Sequence, residues 1–121
     1  MDKEALKLRT NQFALRICNL INSLPNNIAG KNVANQLFRS GTSVAANYRA
    51  SCVGRSRAEF KSKLHIVLEE ADESEFWLKF IIDSNLLPKE KVESLRKEAE
   101  ELAAIFAKSY YTIIKNDKIN K

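Results

Sequence analysis

The chain has 121 residues, 45% hydrophobic and 29% charged, and a formal net charge of +5. That length suits one domain whose core needs no disulfide or metal. Three glycines and two prolines are too few for the turns of an all-β or α/β fold, and no apolar run approaches the roughly 18–20 residues of a bilayer span.

In chain order, apolar residues at three-and-four spacing predict four helices, at about 2–24, 31–52, 57–83 and 88–115. Asp2 is the N-cap candidate of the first, whose stripe is Leu6, Phe13, Ile17, Leu20 and Leu24, with Ala14 and Ile21 beside it. The break Leu24-Pro25-Asn26-Asn27-Ile28-Ala29-Gly30 follows. The second helix has the stripe Val33, Leu37, Val44 and Tyr48, with small residues from Ser40 to Ala46. Gly41 inside a helix costs about 1 kcal/mol relative to alanine. It predicts close approach of a neighbouring helix or partner chain, with a kink as the competing reading. Ser40, Ser43 and Asn47 share a face and read as interhelical hydrogen-bonding positions, ahead of a ligand role.

After Cys52-Val53-Gly54-Arg55-Ser56, the run Ser56-Arg57-Ala58-Glu59 is a capping box that opens the third helix. Its seam is Phe60, Leu64, Val67, Ala71, Ser74, Leu78 and Ile81, and Ile66, Leu68, Phe76, Trp77, Phe80 and Ile82 widen it. A helix this broadly apolar is central or contacts another subunit. Asp83-Ser84-Asn85-Leu86-Leu87-Pro88 breaks the chain again, and Pro88 starts the fourth helix. Val92, Leu95, Ala99, Leu102, Phe106, Ser109 and Ile113 form its seam, and the polar tail from Lys115 to Lys121 is predicted to fray. The short breaks imply antiparallel neighbours. The fold class is all-α, one up-down-up-down four-helix bundle spanning 1–121.

Charge is unevenly placed. Residues 1–63 carry 11 Lys/Arg against 3 Asp/Glu, a net of +8, and residues 64–121 carry 9 against 12, a net of −3. Alternating helices bring the start of the first, the link between the second and third, and the end of the fourth to one pole. Lys3, Lys7, Arg9, Arg49, Arg55, Arg57, Lys61, Lys63, Lys108, Lys115, Lys118 and Lys121 gather there, opposed by Asp2, Glu4, Glu59 and Asp117. Such a pole suits a phosphate backbone, without base specificity. Arg39, Arg49, Arg55, Arg57, Lys61 and Lys63 are the candidate nucleic-acid contacts. Tyr48, Tyr110 and Tyr111 are read as packing residues ahead of base-stacking ones. The alternative is a protein–protein scaffold whose basic pole only keeps it soluble.

No catalytic or metal pattern is present. His65 is the single histidine, so the paired Glu-x-x-His motifs of di-metal bundles are absent. The glycines form no phosphate loop. Glu69, Glu70, Asp72, Glu73 and Glu75 read as solvent-facing or paired carboxylates rather than a hard-cation site. Cys18 and Cys52 read as buried free thiols, with no local feature that activates either toward His65. The chain is therefore expected to be non-enzymatic, without cofactor, metal or membrane association. Met1-Asp2-Lys3-Glu4 has no signal-type apolar stretch, so a cytoplasmic location is expected.

The run Leu37-Phe38-Arg39-Ser40-Gly41-Thr42-Ser43-Val44-Ala45-Ala46-Asn47, followed by Ser56-Arg57-Ala58-Glu59-Phe60, Leu64, Ile66 and Glu73, resembles the bacterial "four helix bundle protein" family. That family includes proteins encoded in intervening sequences of 23S rRNA genes and the accessory variability determinant of diversity-generating retroelements. The motif is concentrated in residues 37–73. Many members continue the asparagine with Ile-Ala-Glu-Gly, where this chain has Tyr48-Arg49-Ala50-Ser51. The resemblance implies an up-down-up-down bundle and a homo-oligomer, a pentameric ring in particular, with RNA or DNA and a protein as further partners. A ring uses heterologous contacts, so an acidic patch on one copy can meet a basic one on the next.

Overall fold

The structure is a computed structural model that describes residues 1–119. Its four helices are α1 (Lys3–Ile21), α2 (Ile28–Cys52), α3 (Arg57–Asp83) and α4 (Lys89–Ile119). Three begin with a side-chain cap. Asp2 accepts from the Ala5 amide, Asn27 from that of Gly30, and Ser56 from that of Glu59. The Asn27 cap starts α2 three residues before the sequence reading placed it. The Glu59 carboxylate of the capping box accepts from the Arg55 amide at 3.3 Å rather than from that of Ser56. At the other end of α3, Asn85 takes the left-handed conformation at φ 59°. Its amide donates to Ile82 and that of Leu86 to Ile81, which satisfies two terminal carbonyls.

Each helix lies against the next in the chain, and α1 meets α4 more sparsely to close the square. Pairs across the seams run in opposite order. Arg57 meets Asp117, His65 meets Tyr110 and Glu75 meets Arg96. Across the α1/α4 seam, Arg9 bonds Glu98 and Arg16 bonds Ser94. The helices therefore alternate in direction, as the short connections require.

The core follows the predicted seams. Phe13, Ile17, Leu37, Val44, Leu64, Val67, Leu78, Ile81, Val92, Leu102 and Phe106 are all at most 1% exposed. Leu20 and Leu24 are only half-buried, and in α4 the seam fails past Phe106, where Ser109 is exposed and Ile113 half-buried. The reason is helix length. Arg9 is level with Glu98 and Glu101, so the start of α1 is reached near residue 106. The rest of α4 stands roughly 20 Å beyond it, at 1.5 Å per residue. The tail expected to fray is helical through Ile119, and its last two residues lie outside the described ones.

Gly41 marks a close approach. A Cβ there would overlap Ile17 Cδ1 and lie 3.3 Å from both Cγ1 and Cγ2. Beside it, the fully buried Ser40 and Ser74 hydroxyls are 2.9 Å apart across the α2/α3 seam. Asn47 bonds back to Ser43 within α2 instead of crossing a seam.

Candidate nucleic-acid interface

The alternating helices bring the start of α1, the α2–α3 link and the end of α4 to one end of the bundle. What matters there is which cations already hold a carboxylate. Asp117, on the last turn of α4, accepts from Arg57 Nε at 2.9 Å and from Lys61 Nζ at 3.2 Å. These bonds hold its carboxyl below the usual carboxylate range, the Arg57 bond being the larger cause. They tie the last turns of α4 to the start of α3. Glu4 pairs with Lys7 within α1 at 3.1 Å, and Asp2 and Glu59 are engaged by backbone amides.

The acidic side chains of this pole are thus taken up. Arg49, Arg55 and Lys63 have no carboxylate within 4.0 Å among the described residues, and neither do Lys3, Lys115 and Lys118. Arg49 and Arg55 are exposed, and Lys63 is half-buried. Lys121 belongs to the same predicted set and lies outside the described residues.

Arg39 does not join them. It lies in the middle of α2, where Nη1 bonds Glu70 at 2.7 Å and Nη2 bonds Glu73. The Glu73 bond, with that of Glu70, raises its pKa further. Arg9 is likewise held by Glu98 and Glu101, level with the middle of α4. Of the six candidates, five lie toward one end of the bundle. Two of those share Asp117, and three carry no ion pair among the described residues.

The tyrosines divide too. Tyr48 is buried against Phe106, with ring centroids 5.3 Å apart, and burial raises its phenol pKa. Tyr110 packs on His65 at 4.8 Å, and Tyr111 is 62% exposed. His65 pairs with Glu69 at 3.3 Å. Both cysteines are free, and both are half-buried rather than buried. Among the described residues no three His, Cys, Asp or Glu side chains group as metal ligands do, and no helix is long and apolar enough to cross a membrane.

The acidic cluster of α3 is mostly paired across seams. Arg39 takes Glu70 and Glu73, and Arg96 takes Glu75 at 2.9 Å. Arg96 also holds Glu93 and, at 3.0 Å, Glu100 on its own helix. Nothing local in the sequence announces these partners. Arg39 and Glu70 are 31 residues apart, and only the α2/α3 register makes them neighbours.

The family model of the 23S rRNA-intervening sequence protein matches residues 5–108. Among solved structures, a protein of unknown function from the S23 ribosomal protein family of Bacteroides thetaiotaomicron VPI-5482 superposes with a TM-score of 0.80 and 35% identity. The match covers 87% of this chain and 97% of that one. No curated protein matches.

Proposed function

Because the chain belongs to the 23S rRNA-intervening sequence protein family, we propose that it is a non-enzymatic, self-associating bundle whose basic pole holds the phosphate backbone of RNA or DNA. One observation carries this reading. Arg49, Arg55 and Lys63 stand without carboxylate partners among the described residues, at an end whose acidic side chains are engaged elsewhere. A cation that already holds a carboxylate gains little from a phosphate, whereas an unpaired one releases condensed counterions on binding. Affinity then falls with salt, by a slope of about 0.7–0.9 in log–log terms per phosphate neutralised.

The contact is to backbone, not to bases. Tyr48 is buried, so Tyr111 is the one tyrosine mostly open to solvent. The non-enzymatic part draws support from His65, which is engaged by Glu69 and packed against Tyr110 rather than poised beside a nucleophile.

The test is filter binding of a single-stranded RNA and a duplex DNA at low and moderate salt. Wild-type protein is expected to bind with a steep salt slope. Arg55→Glu with Lys63→Glu is expected to lose at least about tenfold in affinity while keeping the helical circular-dichroism signal. Equal affinity of wild type and variant at low salt would sink the assignment.

A further inference from the structure

Along the α1/α4 seam the two helices run in opposite directions, so a heptad forward on one lies beside a heptad back on the other. Arg9 shows one filling of that seam. Its guanidinium is 2.7 Å from Glu98 and 3.3 Å from Glu101, so one cation is held by two carboxylates. One heptad further along α1 stands Arg16. The α4 positions one heptad before Glu98 and Glu101 hold Lys91 and Ser94. The register is kept, because Arg16 Nη2 donates to Ser94 Oγ at 3.0 Å where Arg9 meets Glu101. The arginine recurs and its carboxylates do not. A lysine and a hydroxyl stand in their places.

Arg16 and Lys91 line one groove of about 350 Å³ with Asn19, Leu20 and Leu95. Neither cation has a carboxylate within 4.0 Å among the described residues. At Arg9 one positive charge meets two negative ones, whereas here two positive charges share a groove with none. Like charges placed so repel until an anion stands between them. The donors for that anion are in place. Arg16 spends a single N–H on Ser94, whose own hydroxyl proton stays free to donate. The Asn19 amide makes no side-chain hydrogen bond among the described residues and borders the same groove. The floor is apolar, with Leu95 buried and Leu20 half-buried.

We propose that this groove binds a phosphomonoester, an organic group ending in a terminal phosphate. Charge selects the ligand. A carboxylate brings one negative charge and leaves the pair half neutralised. A terminal phosphate carries about −1.5 to −2 at neutral pH and matches both cations. The remaining N–H groups of the Arg16 fork suit two phosphate oxygens, and Lys91 answers the charge as a point cation. Ser94 and Asn19 donate to the oxygen that is left, and the organic part lies over Leu20. An internal phosphodiester, with its single charge, is at the same disadvantage as a carboxylate. Arg16 lies roughly 20 Å along α1 from Lys3, at 1.5 Å per residue. The site is therefore separate from the basic pole, and it does not rest on the reading above.

The experiment is calorimetric titration of the full chain with phenyl phosphate at fixed ionic strength, with benzoate as the monoanionic control. Wild type is expected to bind phenyl phosphate at least about tenfold more tightly than benzoate. Arg16→Gln and Lys91→Gln are each expected to lose at least about tenfold in affinity, with unchanged helicity by circular dichroism. Lys91→Glu gives Arg16 the carboxylate that Arg9 finds in Glu98, and is expected to abolish binding. A wild type that binds phenyl phosphate no more tightly than benzoate overturns the site, as does Lys91→Glu binding like wild type. One RNA, made with a 5′-phosphate and with a 5′-hydroxyl, tells the source of the phosphate. A preference for the phosphorylated end that Lys91→Glu removes supports the site and assigns it to a strand terminus. Equal binding of the two RNAs by a chain that holds phenyl phosphate supports the site and assigns it to a small molecule.

Discussion

Between α3 and α4 the outer edge of the contact is bridged by Arg96, which reaches Glu75 across the seam and Glu93 and Glu100 along its own helix. Between α1 and α2 no side-chain hydrogen bond or ion pair crosses among the described residues, and the helices close on Gly41 against Ile17. One seam is fastened at its rim by charge, the other at its centre by the lack of a side chain. Around Arg96 the first kind covers its apolar edge with guanidinium and carboxylate groups and responds to salt and pH. The second leaves its apolar edge bare. The apolar groove between Leu15 and Phe38 is therefore a consequence of how the seam beneath it is held.

The largest effect is expected where the glycine is filled. Ile17 is completely buried, so Gly41→Leu forces α1 away from α2. Overpacking of this kind costs about 3 kcal/mol, which lowers the thermal midpoint by roughly 10 °C. Gly41→Ala separates the two terms, because alanine returns about 1 kcal/mol of helix propensity. A variant Gly41→Leu that melts with the wild type would show that the α1/α2 seam is loose and not held at Gly41.

Arg96 comes second. Its side chain is 17% exposed and serves three carboxylates. Arg96→Met keeps much of the apolar stem and removes the bridge. About 1–2 kcal/mol is expected, between the value of an exposed pair and that of a charged hydrogen bond left unmade. The loss should shrink in high salt for Arg96→Met and stay constant for Gly41→Leu. Chemical denaturation in urea at two salt concentrations reads both.

How far the sequence reveals these two devices differs. Gly41 was legible, since a glycine inside an otherwise regular helical pattern has few physical reasons to be there. The helix starts at Asp2 and Ser56 were legible because a cap bonds within three residues. The start at Asn27 was not, because Pro25-Asn26-Asn27 has the composition of a turn and the cap hides inside it. The bridges were illegible for a different reason. Arg39, Arg96 and Asp117 each find partners through helix register, at separations of 21 to 60 residues. The same blindness placed Arg39 among the candidate nucleic-acid contacts and let the tail from Lys115 look frayed.

Acid gives a third and smaller contrast. Glu93 and Glu100 are held below their ordinary value of 4.5, chiefly by hydrogen bonds from Arg96. Groups lowered in this way stabilise the fold above their unfolded value, and that contribution is lost as pH falls through the folded one. Glu75 is raised, first by burial and then by the hydrogen bond with Glu100. Its contribution has the opposite sign, present below the ordinary value and lost as pH rises through the folded one. Below pH 4.5 the two lowered carboxyls lose their contribution, and the raised one opposes that loss. Arg96→Met is expected to flatten that acid limb, and Gly41→Leu to displace it downward without changing its shape. Thermal midpoints taken between neutral and acid pH check both, and parallel limbs for wild type and Arg96→Met would refute the assignment of the shifts to Arg96.

The smallest effect on stability lies at the end of the charged seam. Asp117 is bound to Arg57 and Lys61 where α4 runs past the start of α1 alongside α3, and few apolar contacts depend on it. Asp117→Asn should leave the thermal midpoint almost unmoved, with a slight loss of helicity from the last turn of α4. Its effect on binding should be larger than its effect on folding, because it releases two cations beside Arg55 and Lys63. If the basic pole holds phosphate, nucleic-acid affinity rises and the salt slope steepens by about one to two phosphates' worth. A variant that binds no better than wild type, with the same slope, would mean that Arg57 and Lys61 are fasteners of the α3/α4 seam only, and the interface would contract to Arg49, Arg55 and Lys63.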